Sequence, residues 1–407
     1  MSRHVILGVG GGISAYKACE LLRRLTESGC EVRVVPTAGA LRFVGEATWA
    51  ALSGRPATAD LWADVHEVPH VRLGQWADLV FVAPATADLM ARAAAGRSDD
   101  LLTATLLMAR CPVVFAPAMH TEMWQHPATQ ANVTTLRDRG VLVLDPATGR
   151  LTGPDTGPGR LPEPAELAAV ALRLLDRGPA AARPDLAGRR VVVSAGGTRE
   201  ELDPVRFIGN WSSGRQGYAL ARTAVARGAE VTLVSANVTM DDPAGVKVVP
   251  VVSALQLRDA VTAAAAGADA VVMAAAVADF RPAARNPSKI KKTGTGPEPI
   301  ALTENPDVLR ELSARRPHPG QVVVGFAAET EDLLRNGRDK LARKGCDLLV
   351  VNQVGGGLAF GTADNQAVVL GADGSATDVP RGPKEALADV VWDLVAARFG
   401  TRRQDQG

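Results

Sequence analysis

Short, almost wholly apolar runs alternate with longer stretches of helical spacing along most of the chain. HVILGV (4–9), EVRVV (31–35), DLVFVAP (78–84), CPVVFAP (111–117) and GVLVL (140–144) are strand-like. Between them lie segments such as AYKACELLRRL (15–25), whose apolar positions recur at helical intervals. This order predicts parallel strands joined by crossover helices, a doubly wound α/β sheet. Near residue 178 the pattern breaks at GPAAARPDLAGR, a stretch rich in Pro, Gly and Ala that reads as a linker. The alternation then restarts with RRVVVSAGGT (189–198), AEVTLVSA (229–236), ADAVVMAAA (268–276), GQVVVGFAAE (320–329) and CDLLVVN (346–352). Two doubly wound parallel-sheet domains are expected, at 1–178 and 188–400, with a linker at 179–187 and a polar, frayed end. No short repeat is present.

Composition narrows the function classes. The 407 residues are 46% hydrophobic and 22% charged, enough to bury a sizeable core in two or three domains. Net charge is +1, so no basic excess argues for nucleic acid or a membrane surface as partner. Cys19, Cys30, Cys111 and Cys346 are widely separated, with neither zinc spacing nor a disulfide framework. The opening MSRHVILGVGGG runs from a strand into a glycine turn without a signal-peptide pattern, and no apolar stretch is long enough to span a bilayer. The expectation is a cytoplasmic protein.

Candidate chemistry begins at VGGGISAYKACELL (9–22), where glycines follow a strand and open a helix. Such a turn exposes backbone N–H groups at a positive helix end, and Ser14 adds a hydroxyl, an arrangement suited to phosphate. The second strand ends at Thr37, where a dinucleotide site would place an acid. That weighs against the competing reading, an NAD(P)-binding oxidoreductase, and favours a flavin phosphate or ribityl chain. APAMHTEMW (116–124) concentrates Met119, His120, Glu122, Met123 and Trp124 in one loop, with His126 just beyond. A metal needs three or four converging ligands, but His120 and Glu122 are two apart and no cysteine is near. Further along, SAGGTREELDPVRFIGNWSSGRQGYALA (194–221) offers an anion-binding helix start with Arg215 available. KIKK (289–292) reads equally as a solvated basic loop.

GGISAYK, APATADL (83–89), DDLLTATLL (99–107) and PAMHTEMW (117–124) together resemble the flavin-containing cysteine decarboxylases. The resemblance implies a flavodoxin-like domain in which Gly12, Ile13, Ser14, Thr37, Ala85, Thr86 and Thr103 surround FMN. It implies that Met119, His120 and Met123, with Trp124, form a clamp on the carboxylate of a peptidyl-cysteine-like substrate. His120 stands where the family has Asn, and an imidazole also donates a hydrogen bond to a carboxylate. His70, in PHVRLGQWADL, matches the family's catalytic histidine, a base or proton shuttle near neutral pH. The implied chemistry removes a hydride from cysteine CH2–SH, lets the thioaldehyde accept the electrons left by CO2, and returns the hydride. Some relatives of this domain are regulatory binding proteins; retention of His70 beside a second domain weighs against that role. The flap LTGPDTGPGRLPEP (151–164) carries Gly153 where bifunctional relatives usually carry a proton-donating cysteine, leaving Asp155, Thr156 or water for that step.

AAAVADFRP (274–282), NPSKIKKTG (286–294), ENPDVL (304–309), GFAAET (325–330) and DKLARKGCDLLVVN (339–352) resemble phosphopantothenate–cysteine ligase. A Rossmann-like ligase domain behind a flavin decarboxylase is the arrangement of bacterial bifunctional coenzyme A biosynthesis enzymes. The resemblance places CTP against Ala274, Ala275, Ala276, Asp279, Lys289, Asn305, Pro306, Asp307, Val308, Phe326, Lys340 and Lys344. It implies that Lys289 promotes the first step, that Asn210 turns over the acyl-cytidylate, and that Asp279 contacts the ribose or Mg2+. The implied substrates are 4′-phosphopantothenate, L-cysteine and CTP. The implied assembly is a homo-oligomer of flavin-domain trimers and ligase-domain dimers, up to a dodecamer.

Overall fold

The computed structural model describes residues 3–61, 68–151, 155–178, 184–291, 299–329, 332–353 and 364–404. Gly153, residues 179–183 of the expected linker, and Lys292 lie outside the described residues. The chain divides into two compact units, Met1–Pro184 and Asp185–Gly407.

The first unit is built on a five-stranded parallel sheet. Its order is Cys30–Pro36, Arg3–Val9, Leu79–Ala85, Val113–Pro117 and Leu142–Val143. In chain order this is 2-1-3-4-5, the flavodoxin-like arrangement. Leu79–Ala85 is buried along its whole length, as a central parallel strand covered on both faces must be. Helix Ala15–Glu27 buries Ala15, Ala18, Leu21, Leu22 and Leu25, the spacing of a single helix face. It joins Pro164–Arg177 on one side of the sheet, while Ala87–Ala94, Leu101–Met108 and Pro127–Asp138 cover the other. GVLVL pairs over only two residues. An unforeseen antiparallel ribbon, Ala147–Arg150 with Thr156–Arg160, brackets the flap.

The second unit holds an eight-stranded sheet. Its order is Val246–Val251, Glu230–Ala236, Arg190–Gly196, Ala270–Met273, Val322–Glu329, Leu348–Gln353, Asp364–Gly371 and Ala376–Pro383. The first six are parallel and follow the 3-2-1-4-5-6 Rossmann order; the last two are antiparallel. Helices Arg215–Ala226 and Lys384–Gln404 pack together on one face, where Trp392 donates its indole N–H to the Leu220 carbonyl at 3.0 Å. Ala254–Ala265, Val308–Ala314 and Leu333–Lys344 cover the opposite face. Among the described residues no helix is long and apolar enough to cross a membrane.

Candidate active sites

In each unit, the sheet's strand order reverses direction beside the first strand. The carboxyl ends of the strands diverge there, and ligands of open α/β sheets bind in that crevice. In the first unit the crevice is a cleft of about 1300 Å³, lined by Gly11, Gly12, Ile13, Ser14, Thr37, Thr86, Met119, His120 and Met123 among others. The glycine turn is required by close approach. A Cβ on Gly10 would meet the Pro84 carbonyl at 2.5 Å, and one on Gly11 would meet Gly39 Cα at 2.9 Å. The Ser14 hydroxyl makes no capping bond at the head of Ala15–Glu27. Thr37 and Thr86 cap their helices by accepting from Ala40 N and Leu89 N, each at 3.2 Å, which leaves each hydroxyl proton free to donate. Glycine backbone, three hydroxyls and helix N-termini facing one cleft fit a phosphorylated flavin.

Not every expected flavin residue reaches the wall. Ala85 is buried at the strand end, where its carbonyl accepts from Ala118 N at 3.1 Å. Thr103 is buried in a capping box with Asp100, and it is Asp100 that lines the cleft. His70 lies on helix Pro69–Trp76, off the described wall, with Nδ1 buried and without a hydrogen-bond partner among the described residues. A buried imidazole nitrogen in that state calls for a group that the described residues do not supply.

The clamp departs from expectation in one respect. Thr121–Gln125 is a short helix, and Trp124 turns into the core with Phe115, Val133 and Leu136 instead of walling the cleft. Met119, His120 and Met123 do line it. The flap ribbon presses directly on this segment. Met119 N donates to the Gly159 carbonyl at 2.9 Å, and a Cβ on Gly159 would stand 2.2 Å from the Met119 oxygen. Asp155, just before the ribbon's second strand, and Thr156, its first residue, are exposed and absent from the described wall.

Charged residues in the wall were not expected from the sequence. Lys17 reaches Glu163 at 3.1 Å, and Arg160 pairs with the same carboxylate. Burial raises the Glu163 pKa, but the hydrogen bonds from Lys17 and Arg160 prevail and hold it below the usual range. Arg92 spans Asp88, Asp99 and Asp100 at 3.0, 3.1 and 2.8 Å. Burial opposes its charge, and the hydrogen bonds to Asp100 and Asp99 outweigh burial, so its pKa rises.

In the second unit a cleft of about 560 Å³ is lined by Asn210, Ala274, Ala275, Ala276, Asp279, Asn305, Pro306, Asp307, Val308, Phe326, Lys340 and Lys344. Segments far apart in sequence are locked edge to edge. Asn210 Nδ2 donates to the Val277 carbonyl at 3.0 Å, Ala278 N to Thr198 Oγ1 at 2.9 Å, and Asn305 Nδ2 to the Ala278 carbonyl at 2.8 Å. Lys344 is paired with Asp307 at 2.6 Å. Gly214 and Gly217 let helix Arg215–Ala226 start against the strands: a Cβ on Gly217 would meet Ala195 Cα at 2.9 Å. Lys289 is exposed and off the described wall. Its segment is anchored by buried Asp203, whose Oδ2 accepts from Ile290 N at 3.2 Å. Asp279 lines the cleft, and among the described residues no group of three His, Cys, Asp or Glu is placed to hold a metal.

Comparison with known proteins bears on both units. A family model described as Flavoprotein matches residues 1–175, and one described as DNA/pantothenate metabolism flavoprotein C-terminal domain matches 186–399. The coenzyme A biosynthesis bifunctional protein CoaBC of Mycobacterium tuberculosis (strain ATCC 25618 / H37Rv) is 59% identical over 403 residues, covering 97% of this chain and 96% of that protein. This chain belongs to the CoaBC family. The CoaBC of Mycolicibacterium smegmatis is 58% identical over 405 residues, 97% of each chain, and that of Vibrio cholerae is 42% identical over 400 residues, 97% of this chain and 98% of the other. Membership of the CoaBC family makes the chain a bifunctional flavoprotein of coenzyme A biosynthesis and sets aside the NAD(P)-dependent oxidoreductase reading.

Proposed function

We propose that the second unit joins 4′-phosphopantothenate to L-cysteine at the expense of CTP, and that the first unit decarboxylates the product with FMN. The observation that carries this reading is a separate cleft at the strand-order reversal of each sheet, one lined by hydroxyls and glycines, the other by amides and lysines.

In the ligase cleft, a carboxylate oxygen of 4′-phosphopantothenate attacks the α-phosphorus of CTP and pyrophosphate leaves. The cysteine amine then attacks the acyl carbon, loses a proton and expels CMP. Lys340 and Lys344 stand where phosphate charge needs neutralising, and Lys289 joins them from its anchored segment. Asn210, held by Val277, presents an amide N–H to the acyl oxygen as negative charge develops there, an effect worth about 3 kcal/mol in comparable sites. Asp279 contacts the ribose or a Mg2+ ion carried by the phosphates.

In the decarboxylase cleft, Gly12, Ser14, Thr37 and Thr86 would hold FMN with Ile13 beside them, while Ala85 and Thr103 stand behind the wall, Thr103 in the capping box with Asp100. FMN supplies the acceptance and return of a hydride that lets CO2 depart without net oxidation. His120 donates to the substrate carboxylate while Met119 and Met123 exclude water from it. His70 holds or moves the thiol proton. Both roles suit subunits that complete each other's sites. Exposed Ile13, Tyr16 and Phe43 in the first unit, and Val205, Phe207, Trp211 and Phe280 in the second, support trimeric and dimeric contacts in a closed homo-oligomer.

The test is incubation of the purified yellow protein with 4′-phosphopantothenate, cysteine, CTP and Mg2+, with products read by mass spectrometry. CMP, pyrophosphate and 4′-phosphopantetheine are expected. A colourless protein that does not take up FMN would end the reading of the first cleft. A CTP-independent product would end that of the second.

A further inference from the structure

The ligase cleft holds a further lysine besides Lys340 and Lys344. Lys384 opens helix Lys384–Gln404, lines the cleft, and is only 6% exposed. Its one hydrogen bond among the described residues is a long 3.4 Å contact to the Asp364 carbonyl, which leaves two of three N–H donors unused. The nearby carboxylates are engaged elsewhere: Asp364 with Arg381 at 3.6 Å and Glu385 with Arg222 at 3.0 Å. The backbone around Lys384 is fixed in place. Gln216 Nε2 donates to the Lys384 carbonyl at 3.1 Å, and Asn365 Nδ2 donates to Gln216 Oε1 at 3.0 Å. That chain of bonds ties Lys384 to the first turn of helix Arg215–Ala226, beside Arg215 in the same cleft wall.

A buried ammonium without its own counter-ion is costly unless an anion arrives. Burial, and then the charge of Arg215, pull the Lys384 pKa below its usual value, and the charges of Glu385 and Asp364 offset them only in part. Lys340 and Lys344 come from a helix on the opposite face of the sheet, so the cleft is cationic from both sides. The helix start adds backbone N–H groups and its positive end to the Lys384 side.

We propose that the Lys384 ammonium binds a phosphoryl oxygen of the ligand held at the start of helix Arg215–Ala226. The proposal rests on the ligase reading. Two ligands of that reaction carry the required chemistry, the triphosphate of CTP and the phosphate ester of 4′-phosphopantothenate.

The test uses the full-length protein with Mg2+. CTP, inorganic pyrophosphate, 4′-phosphopantothenate and pantothenate are titrated calorimetrically into the wild type and Lys384→Met. A phosphate contact predicts that the variant's Kd rises tenfold or more for a phosphate-bearing ligand, with decarboxylase turnover in the other unit retained. A rise for CTP and pyrophosphate assigns Lys384 to the triphosphate. A rise for 4′-phosphopantothenate alone assigns it to the ester. Unchanged Kd values for all these ligands overturn the proposal with the ligase reading intact, and a wild type that binds none of them overturns both. If Lys384→Met does not fold, acetylation of Lys384 in the wild type is followed by peptide mass spectrometry. Slower acetylation with pyrophosphate or 4′-phosphopantothenate bound supports the contact; equal rates with and without each ligand overturn it.

Discussion

Gly159→Ala tests whether the flap ribbon holds the substrate clamp in place. Gly159 has φ +152°, a conformation that L residues rarely adopt, and its added Cβ would lie 2.2 Å from the Met119 oxygen. Backbone strain of this kind costs about 1–3 kcal/mol. Moving the ribbon away to relieve the clash also breaks the 2.9 Å bond from Met119 N, worth about 1 kcal/mol. The sum, about 2–4 kcal/mol, disfavours the docked ribbon by about 30- to 700-fold. Decarboxylase kcat/KM should therefore fall at least about tenfold, while FMN remains bound and ligase turnover is unchanged. Gly149 on the facing strand is the control: it has φ +158°, yet its Cβ would meet only the Arg160 side chain, at 3.4 Å. Gly149→Ala carries the backbone strain without the clash. A Gly159→Ala protein with wild-type decarboxylation, or equal losses in the two variants, would refute the docking argument.

His70→Asn should abolish decarboxylation and leave ligation intact, so phosphopantothenoylcysteine accumulates; equal loss of both activities in a folded, flavin-bound variant would contradict separate sites. Lys289→Gln should stop pyrophosphate release, whereas Asn210→Asp, which sets a carboxylate against the Val277 carbonyl, should release pyrophosphate and accumulate the acyl-cytidylate; the reverse pattern would exchange the two roles. Glu163 has a depressed pKa in the folded protein, so the stability it contributes is present above about pH 4.5 and is lost as pH falls through the folded value. Glu163→Gln should therefore flatten the acid side of the first unit's melting-temperature profile, and an unchanged profile would show that the Lys17 and Arg160 contacts contribute nothing.

Much of the fold was legible because central parallel strands are continuous apolar runs, as in LVFVAPA and AVVM. Val246–Val251 is not legible as a strand because it is an edge strand containing Pro250 and several half-exposed positions, which break the pattern. The antiparallel hairpin 364–383 has a polar outer strand and no crossover helix to announce it. Gly12, Ser14, Thr37 and Thr86 in the first cleft's wall were readable because a turn that exposes backbone N–H groups at a helix start calls for those residue types. The ionic groups were not, since Lys17 meets Glu163 across 146 positions and Lys384 nears Arg215 only when two helices pack. Trp124 was misplaced for a similar reason: neighbours in sequence at 119, 123 and 124 diverge once 121–125 coil into a helix. Thr103 could have been read as a cap, because Asp100 stands three residues before it at the head of an apolar helix.

The central claim is that one chain couples CTP-driven ligation to flavin-dependent decarboxylation. Release of labelled CO2 from carboxyl-labelled L-cysteine tests both halves at once. The account predicts CO2 only when 4′-phosphopantothenate and CTP are both present, in amounts matching the CMP formed. Label released without CTP, or CMP formed with no label released, would contradict it.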